Sequence, residues 1–167
     1  ASLIDNGSFD DCSIDTLLLS RDSFFCGDVP LSPITVSLTV LDGGGSSSTC
    51  QAQINVSDTI SPIALCRDTS IYVDSSGQAS ITAVELDASS LGNCTPLSFS
   101  ISQSTFDCSS STSDLVVLTV TDANNNQQSC TAAVFVEDNV APDAVCLDLT
   151  IALDDNGDAT INAQDLD

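Results

Sequence analysis

The sequence repeats itself at an offset of about 80 residues, and this internal repeat restricts the possible folds more than any other feature. Residues 58–87 match residues 138–167, and Cys50 recurs as Cys130. A repeat of this length is typical of arrays in which each repeat is one structural unit. We therefore expect a string of similar units and not one undivided fold.

Both ends of the chain fall at the same phase of the repeat, because residues 1–5 match both 83–87 and 163–167. We expect the chain to be a window on a longer array of secreted repeats. The predicted division is the back part of one repeat at 1–61, a complete repeat at 62–141, and the front strands of a following repeat at 142–167.

Short runs of β-forming residues between turn signals predict strands. Residues 97–102 alternate strictly between apolar and polar side chains, and residues 115–121 form a longer run rich in Val and Leu. The turn at 154–157 contains Asn-Gly, which is a strong hairpin signal. About six or seven such strands in each repeat predict an all-β fold of tandem Ig-like antiparallel β-sandwich repeats, disulfide-bonded. One short helical turn, capped by Thr82, is expected within 83–90.

Eight cysteines in a chain without histidine indicate disulfide bonds and not a zinc site. Their even number and wide spacing fit an oxidising compartment. The chain contains no apolar run long enough to cross a bilayer. The sequence therefore predicts a secreted protein of the cell exterior or cell surface, without membrane insertion.

The repeat phase narrows the many disulfide pairings that eight cysteines allow. Cys94 and Cys108 flank a predicted hairpin, so we expect them to pair, and Cys66 is then left to join the first strand to the last. The predicted bonds are Cys12–Cys26, Cys94–Cys108 and Cys66–Cys130, with Cys50 and Cys146 bonded to neighbouring repeats. An alternative pairing joins Cys50 to Cys66 across the linker.

Several short motifs resemble those of hyalin-repeat-like modules, which recur in very large surface and adhesion proteins of bacteria. The motifs are Cys66-Arg-Asp68, Asn93-Cys94, Phe106-Asp-Cys108, Leu118-Thr-Val-Thr-Asp122 and the Glu137-Asp138 linker that leads to Pro142. The resemblance extends over essentially the whole chain. It implies Ig-like modules in tandem and an extracellular structural or adhesive role.

The charge balance is extreme, with 24 acidic residues against two basic ones and a formal net charge of −22. Nucleic acid is excluded as a partner, because binding it requires cationic side chains. A chain this acidic repels itself unless cations neutralise it. Oxygen ligands suit Ca²⁺, so calcium is the expected cofactor.

Oxygen-bearing side chains concentrate at the linkers, in one loop and near the start of the chain. The candidate calcium ligands are Asp58, Glu137, Asp138 and Asn139 in the linkers, Asp68 and Asp148 two residues after a cysteine, Asp122, Asn124 and Asn126 in the loop, and Asp5 and Asp10 near the start. The alternative for each is an ordinary turn, since Asp, Asn and Gly dominate turns for backbone reasons.

The sequence argues against an enzyme, because without histidine neither a Ser-His-Asp nor a Cys-His arrangement can form. The predicted function is a structural repeat of an extracellular filament or stalk, with copies of itself or adjacent repeats as partners. The alternative is an adhesive module that binds a glycan or surface ligand. Most phenylalanines fall in predicted strands, while Phe9 lies in a loop, and this distribution favours the structural role.

Short acceptor patterns also predict glycosylation. Asn6, Asn55 and Asn93 fit the pattern for N-linked sugars. Thr16 and Thr59, each preceded by Asp, resemble O-glycan acceptors of some bacteria that carry such repeats.

Overall fold

The computed structural model of the chain describes residues 4–109 and 113–165. The predicted divisions at 1–61, 62–141 and 142–167 each include a few residues outside this set. The described elements are β1 (Ile14–Leu19), β2 (Ile34–Asp42), β3 (Ser47–Ile54), β4 (Thr69–Tyr72), β5 (Gln78–Ser80), α1 (Ala83–Leu86), β6 (Ser98–Ile101), β7 (Thr105–Asp107), β8 (Asp114–Thr121) and β9 (Gln127–Glu137), with 3-10 helices at Cys26–Leu31 and Ala163–Asp165. The chain is therefore mostly β-strand with few helices, as the predicted all-β class requires.

The first three strands form an antiparallel sheet in the order β1-β2-β3, which we call the N-terminal sheet. β2 alternates between apolar and polar side chains, and this pattern places Val36 and Leu38 on a buried face. β3 is an edge strand of this sheet, because it pairs only with β2 among the described strands.

A four-stranded sheet in the order β4-β9-β8-β6, the central sheet, follows in the chain. β8 and β9 form its antiparallel hairpin, and Val116, Leu118 and Val120 of β8 are fully buried. β4 lies parallel to β9, with Thr69 opposite Val134 and the pairing running to the end of both strands. The edge of β9 that would otherwise be open is thus covered by β4.

A two-stranded small sheet of β5 and β7 closes the core above the central sheet. Phe106 and Ala79 of this sheet pack with Ile81 and Leu86 against the buried face of β8. α1 is one turn long and begins at Thr82, where Thr82 and Glu85 form a capping box. Sheets that enclose a core of Val, Leu, Ile and one Phe fit the predicted β-sandwich.

The hairpins β2–β3 and β8–β9 have the same register. Leu38 lies opposite Cys50 in the first hairpin, and Leu118 lies opposite Cys130 in the second. Residues 142–165, which we call the trailing segment, are exposed wherever their burial is described and form only turns and the last 3-10 helix. Among the described residues, no helix has both the length and the apolar character needed to cross a membrane.

Candidate functional site at the joint between the sheets

A disulfide between Cys26 and Cys94 joins the N-terminal sheet to the central part of the chain. Cys26 begins the 3-10 helix after β1, and Cys94 lies in the loop before β6. Cys94 is 2% exposed, and the sulfur of Cys26 lies 3.4 Å from the carbonyl oxygen of Asn93. The two regions are therefore in direct contact, and we call this region the joint.

The predicted bonds Cys12–Cys26 and Cys94–Cys108 are wrong. They assumed that β6 and β7 form a hairpin with cysteines at its two ends, but β6 pairs with β8 while β7 pairs with β5. Because the two strands belong to different sheets, Cys94 and Cys108 diverge. Cys108 is exposed beside Gly77, and Cys12 is exposed as well.

The second disulfide joins Cys66 to Cys130, which is the pairing that the sequence predicts. It ties the segment before β4 to the middle of β9, and it rules out the alternative bond between Cys50 and Cys66. Four thiols are unpaired and exposed: Cys12, Cys50, Cys108 and Cys146. Bonds from Cys50 and Cys146 to neighbouring repeats stay a prediction.

Asp58 in the linker is the polar centre of the joint. Its Oδ1 accepts hydrogen bonds from the Asn93 side-chain amide at 2.9 Å and from the Ile60 N–H at 3.1 Å. Its Oδ2 accepts from the Asn124 side-chain amide at 3.1 Å. The Asn126 amide donates to the Asp58 backbone carbonyl at 3.3 Å. One linker carboxylate thus contacts two loops of the following sheet.

The turn between β8 and β9 places two of these amides through its own carboxylate. Asp122 is 4% exposed, and its Oδ1 accepts the N–H groups of Asn124 and Asn126 at 2.8 and 2.9 Å. Its Oδ2 accepts the Asn126 side-chain amide at 2.9 Å. Asn125 has a φ of 67°, a left-handed conformation that asparagine tolerates better than most residues. The turn therefore holds Asn124 and Asn126 toward the linker.

The joint concentrates negative charge without a basic side chain. The pKa of Asp58 is lowered, mainly because the Asn93 amide donates to the carboxylate, with smaller contributions from the Ile60 N–H and the Asn124 amide. Arg21 is paired with Asp28, and the Arg67 Nε donates to the Glu85 carbonyl at 2.8 Å. Amide groups, and not cations, are thus the partners described for the Asp58 carboxylate.

The joint collects side chains of the types that calcium binds in proteins. Two carboxylates and three side-chain amides supply hard oxygen atoms, which Ca²⁺ prefers. The amides of Asn93 and Asn124 direct their nitrogen atoms to Asp58. Rotation of either amide group by about 180° would direct its oxygen atom there instead. Of the predicted ligands, the structure brings Asp58, Asp122, Asn124 and Asn126 together. Asn93 was predicted as a glycan acceptor and not as a calcium ligand. Its position next to the buried Cys94 is the feature that places it in the joint.

The other predicted ligands lie elsewhere and have local partners or are exposed. Asp68 accepts the Ala133 N–H at 2.7 Å, and Asp138 accepts the Val140 N–H at 2.9 Å. Asp5 accepts hydrogen bonds from Ser8, and Asp10 accepts them from the Cys12 and Ser13 N–H groups. The remaining predicted ligands are exposed, namely Glu137, Asn139 and Asp148. Asp10 forms an exposed group of close ligand atoms with Asp11 and Cys12.

The predicted glycan acceptors differ in their surroundings. Asn6, Asn55 and Thr59 are exposed, and Thr16 is half-buried with its hydroxyl donating to Asp15. Asn93 is exposed too, but its amide is engaged with Asp58. A glycan on Asn93 would therefore compete with the contacts of the joint.

No protein-family model matches the chain, and no curated protein matches it. The resemblance to hyalin-repeat-like modules therefore stays a prediction from the motifs. The geometry of the joint, the two disulfides and the exposed thiols provide the argument for function.

Proposed function

We propose that the chain is a structural repeat of an extracellular filament or stalk, in which Ig-like β-sandwich repeats of about 80 residues associate end to end and are stiffened by calcium. The observation that carries this proposal is the joint. A disulfide between Cys26 and Cys94 and the hydrogen bonds of Asp58 hold the linker against the following sheet. Such a joint limits bending between consecutive units, as a filament shaft requires.

The matching hairpins support the tandem arrangement. β2–β3 and β8–β9 share one register, with Leu38 and Leu118 each opposite a cysteine. Their sequences match at the offset of the internal repeat, so one backbone pattern serves both units. A rigid joint between like units produces a linear array, because each unit presents the same surfaces to its neighbours.

Calcium suits the joint because it would neutralise carboxylates that otherwise repel each other. Asp58 and Asp122 would contribute charged oxygens, and the Asn93, Asn124 and Asn126 amides neutral ones. A bound ion would supply positive charge between the linker residue Asp58 and the turn 122–126. Its loss would leave the hydrogen bonds that the Asn93 and Asn124 amides donate to the Asp58 carboxylate, with no cation to offset the negative charges of Asp58 and Asp122.

The disulfides and the lack of histidine support an extracellular location and a structural role. Disulfides persist in oxidising surroundings, which supports an extracellular or cell-surface location. The absence of histidine and the engagement of buried acids in turns support a structural role and not an enzyme.

Electron microscopy of the purified chain tests this function. The chain is oxidised slowly in millimolar calcium and then imaged after negative staining, beside a sample treated with a chelator throughout. Long regular filaments in calcium, with shorter or more bent ones after chelation, are the expected result. Dispersed single particles under both conditions would contradict the proposal and would favour the adhesive module that binds a glycan or surface ligand.

A further inference from the structure

We propose that the trailing segment of one copy, residues 142–165, occupies an open groove on the N-terminal sheet of a second copy. Two disulfides between the copies, Cys146–Cys50 and Cys108–Cys12, then lock the contact. This inference deepens the proposed filament function and rests on it. It identifies the surfaces that associate and the bonds that make the association permanent.

Residues 62–87, which we call the seated segment, show how such a segment packs against a sheet. These residues lie against the central sheet, where β4 runs parallel to β9 and Cys66 bonds Cys130. Just before β4, Ile63 pairs with Leu91 through hydrogen bonds of 2.6 and 3.0 Å in the two directions. The sequence of this segment is the one that recurs as the trailing segment.

The N-terminal sheet lacks this covering segment. β3 matches β9 in register, but among the described strands it has no parallel neighbour. Ala132 and Val134 on β9 are buried, whereas their counterparts Ala52 and Ile54 on β3 are only half-buried. This apolar face is therefore only partly covered, because Leu38 on it is buried while Cys50 is exposed.

A groove runs along this partly covered face. Its floor is formed by side chains of the sheet, namely Leu38, Val40, Ser48, Cys50 and Ala52. Residues 4–10 form its wall, and Cys50 lines it at the place where Cys130 bonds Cys66 in the central sheet. The groove is thus open at the position where the repeat predicts a strand and a disulfide.

The trailing segment has the apolar side chains and the turn that this groove requires. Leu153 is 68% exposed, whereas its counterpart Val73 is 4% exposed, and Ile161 is 48% exposed against 3% for Ile81. The Asp154 carboxylate accepts the Asn156 and Asp158 N–H groups at 2.8 and 2.9 Å, as Asp74 does in the seated segment. The turn is therefore formed before docking, which lowers the entropy lost on binding.

The unpaired cysteines match this arrangement in number and position. Cys146 corresponds to Cys66 and Cys50 to Cys130, so the bond Cys66–Cys130 maps onto Cys146–Cys50. At an offset of 82 residues in the earlier part of the repeat, Cys108 corresponds to Cys26 and Cys94 to Cys12, so the bond Cys26–Cys94 maps onto Cys108–Cys12. Each of the four exposed thiols then has one partner, and none is left over.

A second copy is the proposed occupant because none of the residues that line the groove belongs to the trailing segment of the same chain. The groove is lined by residues between 4 and 52, and the trailing segment is exposed along its described length. The trailing segment also carries the elements that the N-terminal sheet lacks, in the correct order. Head-to-tail contacts of this kind build an open filament when the rotation from one copy to the next does not close into a ring.

Formation of each bond is an oxidation. Two thiols lose two protons and two electrons and become one disulfide, while a low-molecular-weight disulfide accepts them and becomes two thiols. The attacking thiolate first forms a mixed disulfide with the oxidant, and the second thiol then displaces the small thiol. The exposure of all four thiols permits both steps.

Peptide mapping of oxidised copies tests the proposal. Equal amounts of ¹⁵N-labelled and unlabelled chain are mixed and oxidised with a glutathione redox pair, and the covalent ladder is digested without reduction. We expect peptides that join Cys146 to Cys50 and Cys108 to Cys12, half of them with one labelled and one unlabelled partner. A different set of pairs, or only monomeric chains, would overturn the inference.

Paired variants test the groove separately from the thiols. The double variant L153D/I161D removes two apolar contacts and should lower the yield of cross-linked chains about tenfold or more. The control V145D changes a residue whose counterpart Leu65 stays 40% exposed in the seated segment, and it should associate nearly as well as the original chain. Equal loss in both variants would contradict docking into this groove.

The outcome also separates this inference from the function on which it rests. Filaments that contain other cysteine pairs would overturn the groove and its bonds but leave the structural function standing. A chain that forms no end-to-end contacts under any condition would overturn both.

Discussion

Replacing Cys26 and Cys94 by alanine should lower the free energy of unfolding by an amount set mainly by the length of chain that the disulfide closes. The starting protein carries serine at every unpaired cysteine, namely Cys12, Cys50, Cys108 and Cys146, so that copies cannot be joined covalently. Only the two described disulfides then remain. The variant C26A/C94A is compared with C66A/C130A, which removes the other bond.

The magnitude follows from sequence separation. Cys26 and Cys94 are 68 residues apart, and Cys66 and Cys130 are 64 apart. Restriction of the unfolded chain by loops of this size is worth about 4 kcal/mol at 25 °C, and measured losses are typically about 2–4 kcal/mol. Because the dependence on loop length is logarithmic, the two variants should lose nearly the same amount.

Urea titration provides the assay. Circular dichroism follows all strands, while fluorescence of Tyr72, the one tyrosine of a chain without tryptophan, follows β4 in the central sheet. Each variant should show a lower midpoint by both probes. A loss below about 1 kcal/mol in C26A/C94A, beside a normal loss in C66A/C130A, would refute a disulfide at the joint. Mass spectrometry of the starting protein checks that both bonds are formed.

Two further substitutions test the joint and the core. D58N should lose at least about half of the rise in Tm that millimolar calcium produces, because one charged ligand is removed. The control D138N should keep this rise, since Asp138 is exposed and accepts a hydrogen bond from its own linker. An equal calcium effect in D58N and the original chain would contradict the site. L118A should lower the free energy of unfolding by about 3 kcal/mol in urea titrations, because Leu118 is fully buried. The control L115A, on the exposed face of the same strand, should change it by less than about 0.5 kcal/mol. Similar losses in both variants would contradict the assigned faces of β8.

The strands could be predicted because their signals are local. Alternation in β8 and β6 follows from the two faces of a strand, and the structure buries Val116, Leu118 and Val120 accordingly. The bond between Cys66 and Cys130 was predicted by elimination, after Cys94 had been paired with Cys108, so a correct bond was reached through a wrong one.

The bond between Cys26 and Cys94 could not be predicted in this way. The sequence places Cys94 and Cys108 at the two ends of a short β-rich stretch, and the simplest topology is a hairpin. The structure instead assigns β6 to the central sheet and β7 to the small sheet. Which sheet a short strand joins depends on packing between distant residues, such as Phe106 against Leu118, and periodicity does not encode it.

The residues of the candidate calcium site could be predicted only in part, because the site depends on contacts between distant residues. Asp122, Asn124 and Asn126 alternate along one turn, so they could be identified from sequence. Asp58 was identified from its linker, but its contact with that turn spans more than 60 positions. Asn93 joins the site only because the disulfide at Cys94 holds its loop against the linker.

The negative charge of the chain gives a reason why association between copies would need both calcium and disulfides. A formal charge of −22 on each copy opposes any contact between copies, and at physiological salt this repulsion acts within about 8 Å and is largely screened at longer distances. The proposed docking of the trailing segment would therefore require a short-range attraction, which the apolar groove would provide, and a lower local charge, which a bound divalent cation would provide. An uncovered β3 edge is itself a risk for unspecific pairing. We infer that the repulsion suppresses such pairing until the matching segment arrives, and that the disulfides then make the correct contact permanent.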